Sequence, residues 1–205
     1  MPLIVARVQL NAAVTARLGA VNSQGMWRAL FFGAAFMASA ALGCYRGRIQ
    51  GSDLAGGAAA DVVVGSGKPV VVAFLSSSCP CSASHEPELS RLAKRFPAFR
   101  FVGVHANADE TSEEGTRHFR SAGLPFPVVR DGAATLADAF GALKTPHVYV
   151  VGADGACLYQ GGVDDSQLAE KARTRHLENA LEAISAGRSP AVSQARALGC
   201  RIARP

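Results

Sequence analysis

The chain has 205 residues, 49% of them apolar, which is enough for one sizeable core and excludes wholesale disorder. Lys and Arg outnumber Asp and Glu by 21 to 16, a formal net charge of +5, with no basic run interleaved with aromatics, so nucleic-acid binding has no support. Five cysteines (Cys44, Cys79, Cys81, Cys157 and Cys200) are too few for a disulfide scaffold of this size, and two of them sit one residue apart, a spacing that points to chemistry.

Residues 1–25 are rich in Ala and Val and show no amphipathic face. Met26-Trp27-Arg28 then leads into the apolar run Ala29 to Leu42 and into Gly43-Cys44. A basic residue, an apolar stretch and a small residue make an export-signal pattern. The run is shorter than the ~20 residues a spanning helix needs. Ala41-Leu42-Gly43-Cys44 resembles a bacterial lipobox, with Ala41 where Leu is preferred. Residues 1–44 are therefore expected to be an N-terminal extension and lipoprotein-like signal, with Met26 as an alternative start. A lipid on Cys44 would anchor the protein to the periplasmic side of a bacterial membrane. Simple cleavage or an uncleaved anchor are the alternatives, and Arg46 and Arg48 weigh slightly against translocation.

Residues 45–60 are rich in Gly, Ala and Ser and predict a flexible tether. Gly65-Ser66-Gly67-Lys68-Pro69 is not a phosphate loop, because Ala60 replaces the first Gly and Pro69 the Ser/Thr after Lys68. From there β and α signals alternate through a domain expected over residues 61–187. Val70 to Leu75 is an unbroken apolar run, as for a strand buried on both faces. Ser82 to Phe96 predicts a helix and Phe99 to His105 a second strand. Thr111 and Glu114 form a capping box for a helix that stops at Gly123. Phe126 to Val129 is a short strand, Ala133 to Phe140 a short helix, and His147–Val151 with Ala156–Gln160 a hairpin. One last helix is expected from about Ser166 to Ala186, then a loose tail, 188–205, carrying Cys200. This order implies an α/β fold, a central mixed sheet flanked by helices on both faces.

Cys79-Pro80-Cys81 lies between the first buried strand and the first helix, where α/β sheets present nucleophiles. A helix N-terminus favours thiolate over thiol, and the thiolate is the species that attacks disulfides and peroxides. Cys157 falls mid-strand and is expected to be buried and inert.

These residues carry a resemblance. The strand leading into Cys79-Pro80, Pro87 inside the following helix, Phe126-Pro127-Val128-Val129-Arg130-Asp131, Thr145-Pro146 before an apolar strand, and Tyr159-Gln160-Gly161-Gly162 resemble the redoxins of the alkyl hydroperoxide reductase/thiol-specific antioxidant superfamily. Gly199-Cys200-Arg201-Ile202 is similar to a Gly-Cys-x-Ile ending of some redoxins. The resemblance implies a thioredoxin-like fold, a cis bond before Pro146 facing the active cysteine, and a thiol–disulfide oxidoreductase with Cys79 as attacking thiolate. Its partner would be a thiol or disulfide protein, or a small peroxide, with no cofactor and no metal. Thioredoxins place their thiols three apart, whereas here Ser82 takes that place and the nearby thiol is Cys81. Cys81 is the first candidate for the resolving thiol and Cys200 the second, with Pro146 positioning the substrate.

Two other functions stay open at this point. A thiol peroxidase would use Cys79 with Ser76, three residues before it, and a nearby arginine such as Arg130. A copper chaperone would use Cys79, Cys81 and a histidine, His85 or His147. Ordinary structural roles are expected of both histidines, of Asp131 in a turn, and of Asp164-Asp165 as a helix cap.

Overall fold

The structure, a computed structural model, describes residues 44–205. The signal-like run from Met26 to Gly43 lies outside them. The stretch 45–60 is not the expected tether. It opens a hairpin in which β1 (Gly47–Gly51) pairs antiparallel with β2 (Ala60–Val64). Its glycine content hid a period of two: Ile49, Val62 and Val64 all point inward and are buried. Between these strands the Asp53 carboxylate accepts the amides of Ala55, Gly57 and Val128, each at 2.8 Å, which ties the hairpin's turn to the main sheet.

The main body follows the expected alternation. β3 (Val70–Leu75) is buried throughout. α1 (Pro80–Arg95) starts earlier than expected, so that Cys81 falls in its first turn. β4 (Arg100–His105) and α2 (Ser112–Ala122) follow, the latter with the Thr111/Glu114 capping box and a left-handed Gly123 cap. β5 (Val128–Arg130) and α3 (Thr135–Phe140) lead to the two-residue strand β6 (Lys144–Thr145), then β7 (His147–Val151) and β8 (Cys157–Gly161). The expected last helix is broken into a 3₁₀ turn, Ala169–Lys171, and α4 (His176–Ser185). Asp165 causes the break: its carboxylate accepts the amides of Arg173 and Thr174 and holds a loop.

The strands order as β5-β4-β3-β7-β8, parallel among β3, β4 and β5 and antiparallel at β7 and β8. The pleat sends Val71, Ala73 and Leu75 to one face, against Leu89 and Leu92 of α1, Phe119 of α2 and Leu177 and Leu181 of α4. Val70, Val72 and Phe74 go to the other face, against Phe140 of α3, the hairpin residues Ile49 and Val62, and Ile202. This is the mixed sheet with helices on both faces that the sequence implies.

The tail is not loose. β9 (Cys200–Arg201) pairs antiparallel with β6, Ile202 is 1% exposed, and Arg204 bonds the Asp138 carboxylate and the Ala142 carbonyl. An apolar anchor and edge hydrogen bonds give this segment a site on the sheet that composition does not reveal. Cys157 is joined by a disulfide to Cys44. The structure thus engages the sulfur on which a lipid anchor is expected, and one sulfur cannot carry both an acylglycerol thioether and a disulfide. Among the described residues no helix is long and apolar enough to cross a membrane.

Candidate active site

Cys79 caps α1 at the carboxyl end of β3 and is 2% exposed. Its own backbone is extended, Pro80 opens the helix, and no side chain caps the first turn. The free amides of that turn therefore face the sulfur's side of the helix end, with the positive end of the dipole. The preceding loop is held by a residue that the sequence did not single out. Glu110, buried, accepts the Ser76 hydroxyl at 2.6 Å and the amides of Ser77 and Ser78 at 2.7 and 3.2 Å, and it also bonds the Ser77 hydroxyl. The Ser76 hydroxyl in turn accepts the Cys79 amide at 3.0 Å. Glu110 is more than thirty residues away in sequence, and its contacts arise only when β4 lies beside β3, so no local signal marks it.

The Thr145–Pro146 bond is cis, as the resemblance implies. Cys79 Sγ donates to the Thr145 carbonyl at 3.3 Å. Thr145 is also the residue opposite Cys200 in the β6–β9 ladder. A Cβ on Gly199 would stand 2.0 Å from the Thr145 carbonyl oxygen, so only glycine lets the tail approach this closely. The consequence is a cluster: the sulfurs of Cys79, Cys81 and Cys200 all lie within 4.8 Å of one another. The structure thus brings all four predicted site residues, Pro146 included, to one place.

The three thiols are not equivalent. Burial works against ionisation of Cys79, but hydrogen bonds from Cys200 and Thr145 and from the Ser82 backbone outweigh it and hold this thiol below its ordinary range. The Thr145 hydroxyl is buried and has no other partner. Burial, and then the charge of Cys79, push Cys81 up. Burial and the hydrogen bond that Cys200 gives to Cys79 push Cys200 up to about 12. One thiol favoured as thiolate beside two held protonated is compatible with thiolate attack on a disulfide.

The histidines stand apart from the cluster. His85 is 1% exposed, with Nδ1 at 2.7 Å from the Cys81 carbonyl and Nε2 at 3.0 Å from Asp164. Both ring nitrogens are engaged. Burial works against its protonation, but the bond to Asp164 prevails and raises its pKa. His147 lines a separate cavity with Phe140, Lys144 and Tyr149, and burial lowers its pKa to about 4. A copper site built on Cys79, Cys81 and a histidine is thus not the one assembled. The peroxidase elements are also spent elsewhere: Ser76 serves Glu110 and the Cys79 amide, and the Arg130 guanidinium bonds the carbonyls of His105, Asn107 and Glu110. Asp131 caps α3 by accepting the amides of Leu136 and Ala137.

Solved structures resemble this fold. An uncharacterized conserved protein of Geobacillus kaustophilus is 25% identical, with 80% of this chain and 92% of that chain covered and a TM-score of 0.70. A hypothetical protein of Sinorhizobium meliloti 1021, SMc02350, is 23% identical over 80% of this chain and 94% of its own, with a TM-score of 0.69. A secreted Mycobacterium tuberculosis disulfide oxidoreductase homologous to E. coli DsbE overlaps over 53% of this chain and 79% of its own, at 25% identity and a TM-score of 0.47. No curated protein matches. The model of the AhpC/TSA family matches residues 56–160, from the hairpin through the cysteine helix and the cis-proline to β8. With its thioredoxin-like sheet and a cysteine at the head of the first helix, the chain belongs to the AhpC/TSA family.

Proposed function

We propose that this protein is an exported thiol–disulfide oxidoreductase in which Cys79 attacks and Cys200 resolves. The observation that carries this reading is the β6–β9 pairing, which sets Cys200 opposite Thr145, beside the Cys79 sulfur. The Cys79 thiolate attacks one sulfur of a partner disulfide. A Cys79–partner bond forms, the partner's own S–S bond breaks, and the leaving thiolate takes up a proton. Cys200 then gives up its proton and attacks the Cys79 sulfur, closing Cys79–Cys200 and releasing the second partner thiol. The partner disulfide gains two electrons and the protein dithiol loses two; the reverse sequence oxidises a partner. Pro146 directly follows Thr145, whose carbonyl accepts the Cys79 thiol, and so stands beside the reacting sulfurs.

This reverses the order of resolving thiols expected from sequence. Cys81 had the advantage of a guaranteed short chain separation, and Cys200 the handicap of ordering a tail. Burial of Ile202 and the bonds of Arg204 meet that cost in the folded state. The Cys44–Cys157 disulfide supports export to an oxidising compartment. A model disulfide and the reduced full-length protein test the assignment. Oxidation should give a Cys79–Cys200 peptide pair under non-reducing conditions, and the pair should persist in Cys81→Ser. A Cys79–Cys81 product with Cys200 still free would restore the first order, and undiminished turnover by Cys79→Ser would overturn the reading altogether.

A further inference from the structure

We propose that the reduced protein binds one Cu(I) ion through the sulfurs of Cys79, Cys81 and Cys200. The inference shares these thiols with the proposed exchange reaction but rests on their geometry alone. The three sulfurs lie within 4.8 Å of one another. A thiolate–metal bond of about 2.3 Å puts the sulfurs of a planar three-coordinate site about 4 Å apart, so the side chains need to close in by under about an ångström. Three elements supply the ligands. Cys79 comes from the head of α1, Cys81 from its first turn, and Cys200 from β9, where the ladder with β6 fixes it.

The donor set selects the ion. Among the described residues, no carboxylate or imidazole joins the group. His85, the nearest histidine in sequence, has one nitrogen on the Cys81 carbonyl and the other on Asp164. Three thiolates without a fourth ligand suit Cu(I), which soft sulfur donors favour, rather than Zn(II), whose structural sites are tetrahedral. Each coordinating thiol releases its proton to solvent, and three thiolates around Cu(I) leave two negative charges. The N-terminal end of α1, from which Cys79 and Cys81 come, opposes that charge with the positive end of its dipole. The tail is the indispensable part: without it the site falls to two sulfurs one residue apart on a helix.

The test uses the reduced full-length protein and Cu(I) held by a competing chelator. One equivalent should transfer to the protein, and X-ray absorption should report three sulfur neighbours and no nitrogen. Cys200→Ser should leave two sulfurs and weaken binding by at least the roughly tenfold that even an indirect ligand contact is worth. Cys44→Ser/Cys157→Ser, which removes the other two thiols, should retain the full equivalent. Retention of all copper by the chelator, a nitrogen neighbour, or an unchanged coordination number in Cys200→Ser would overturn the proposal. So would stronger binding of Zn(II) than of Cu(I). Disulfide exchange is measured on the metal-free protein. Copper binding without exchange would retain this site and discard the redox reading, and exchange without copper binding would do the opposite.

Discussion

Glu110 decides how Cys79 is presented although nothing in its local sequence marks it. Its carboxylate gathers the Ser76 hydroxyl and the amides of Ser77 and Ser78, and Ser76 passes the constraint on to the Cys79 amide. Glu110→Gln keeps the shape but loses the charge and half of the acceptor capacity. Hydrogen bonds to a buried charged group are each worth about 1.5–3 kcal/mol, so the variant should lose about that much at neutral pH, read from the denaturant midpoint. The pH dependence has a definite sign. Burial raises the Glu110 pKa, but the bonds from Ser76 and Ser77 more than reverse this and leave it below the ordinary carboxylate range. A depressed folded value contributes stability above the unfolded value of about 4.3, and that contribution is lost as pH falls through the folded value. The gap between wild type and variant should therefore be full at pH 7 and shrink in strong acid. A gap that is constant with pH would refute a role for the charge. Cys79, by contrast, was legible as the candidate reactive thiol, because a cysteine between a buried strand and a helix start is a local pattern with a local physical cause.

Among the elements, the tail departs furthest from its sequence appearance. Residues 188–205 have neither periodicity nor a strand-forming run, and one apolar side chain, Ile202, does most of the anchoring. Removing it should loosen the tail and spare the sheet. Burying an Ile rather than an Ala is worth about 2–5 kcal/mol at core sites, and a terminal element releases such energy by local opening. In Ile202→Ala the amides of Ala108 and Ile202, which bond the Ala203 and Leu143 carbonyls, should exchange faster while those of β3 keep their protection. Closure of the Cys79–Cys200 disulfide should slow in parallel. Equal loss of protection in β3 would mean that the tail belongs to the cooperative core. The break between the 3₁₀ turn and α4 teaches a similar lesson. The apolar positions Leu177 and Leu181 predict a helix correctly, but the Asp165 carboxylate takes the amides of Arg173 and Thr174 and delays its start.

For the molecule as a whole, the Cys44–Cys157 bond ties the entrance of the described chain to β8 across 113 residues. A cross-link of that span restricts the unfolded chain, and loss of a native disulfide commonly costs about 2–5 kcal/mol. Cys157→Ser should lower the unfolding free energy by an amount in that range, and non-reducing peptide mapping of wild type should yield a Cys44–Cys157 pair with no acyl group. An acylated Cys44 with a free Cys157 would restore the lipid anchor expected from the lipobox-like residues. By itself, the sequence determined the sheet, its buried central strand and the capping box of α2, and it singled out Cys79 as the candidate nucleophile. Each of these follows from a short-range pattern: an unbroken apolar run, a capping box, or a cysteine before a helix. Only the tertiary structure decided which thiols meet, where His85 and Glu110 turn, and that the Gly-rich hairpin and the tail are ordered. Those outcomes depend on partners tens of residues away, whose contacts exist only once β4 lies against β3 and the tail has found β6.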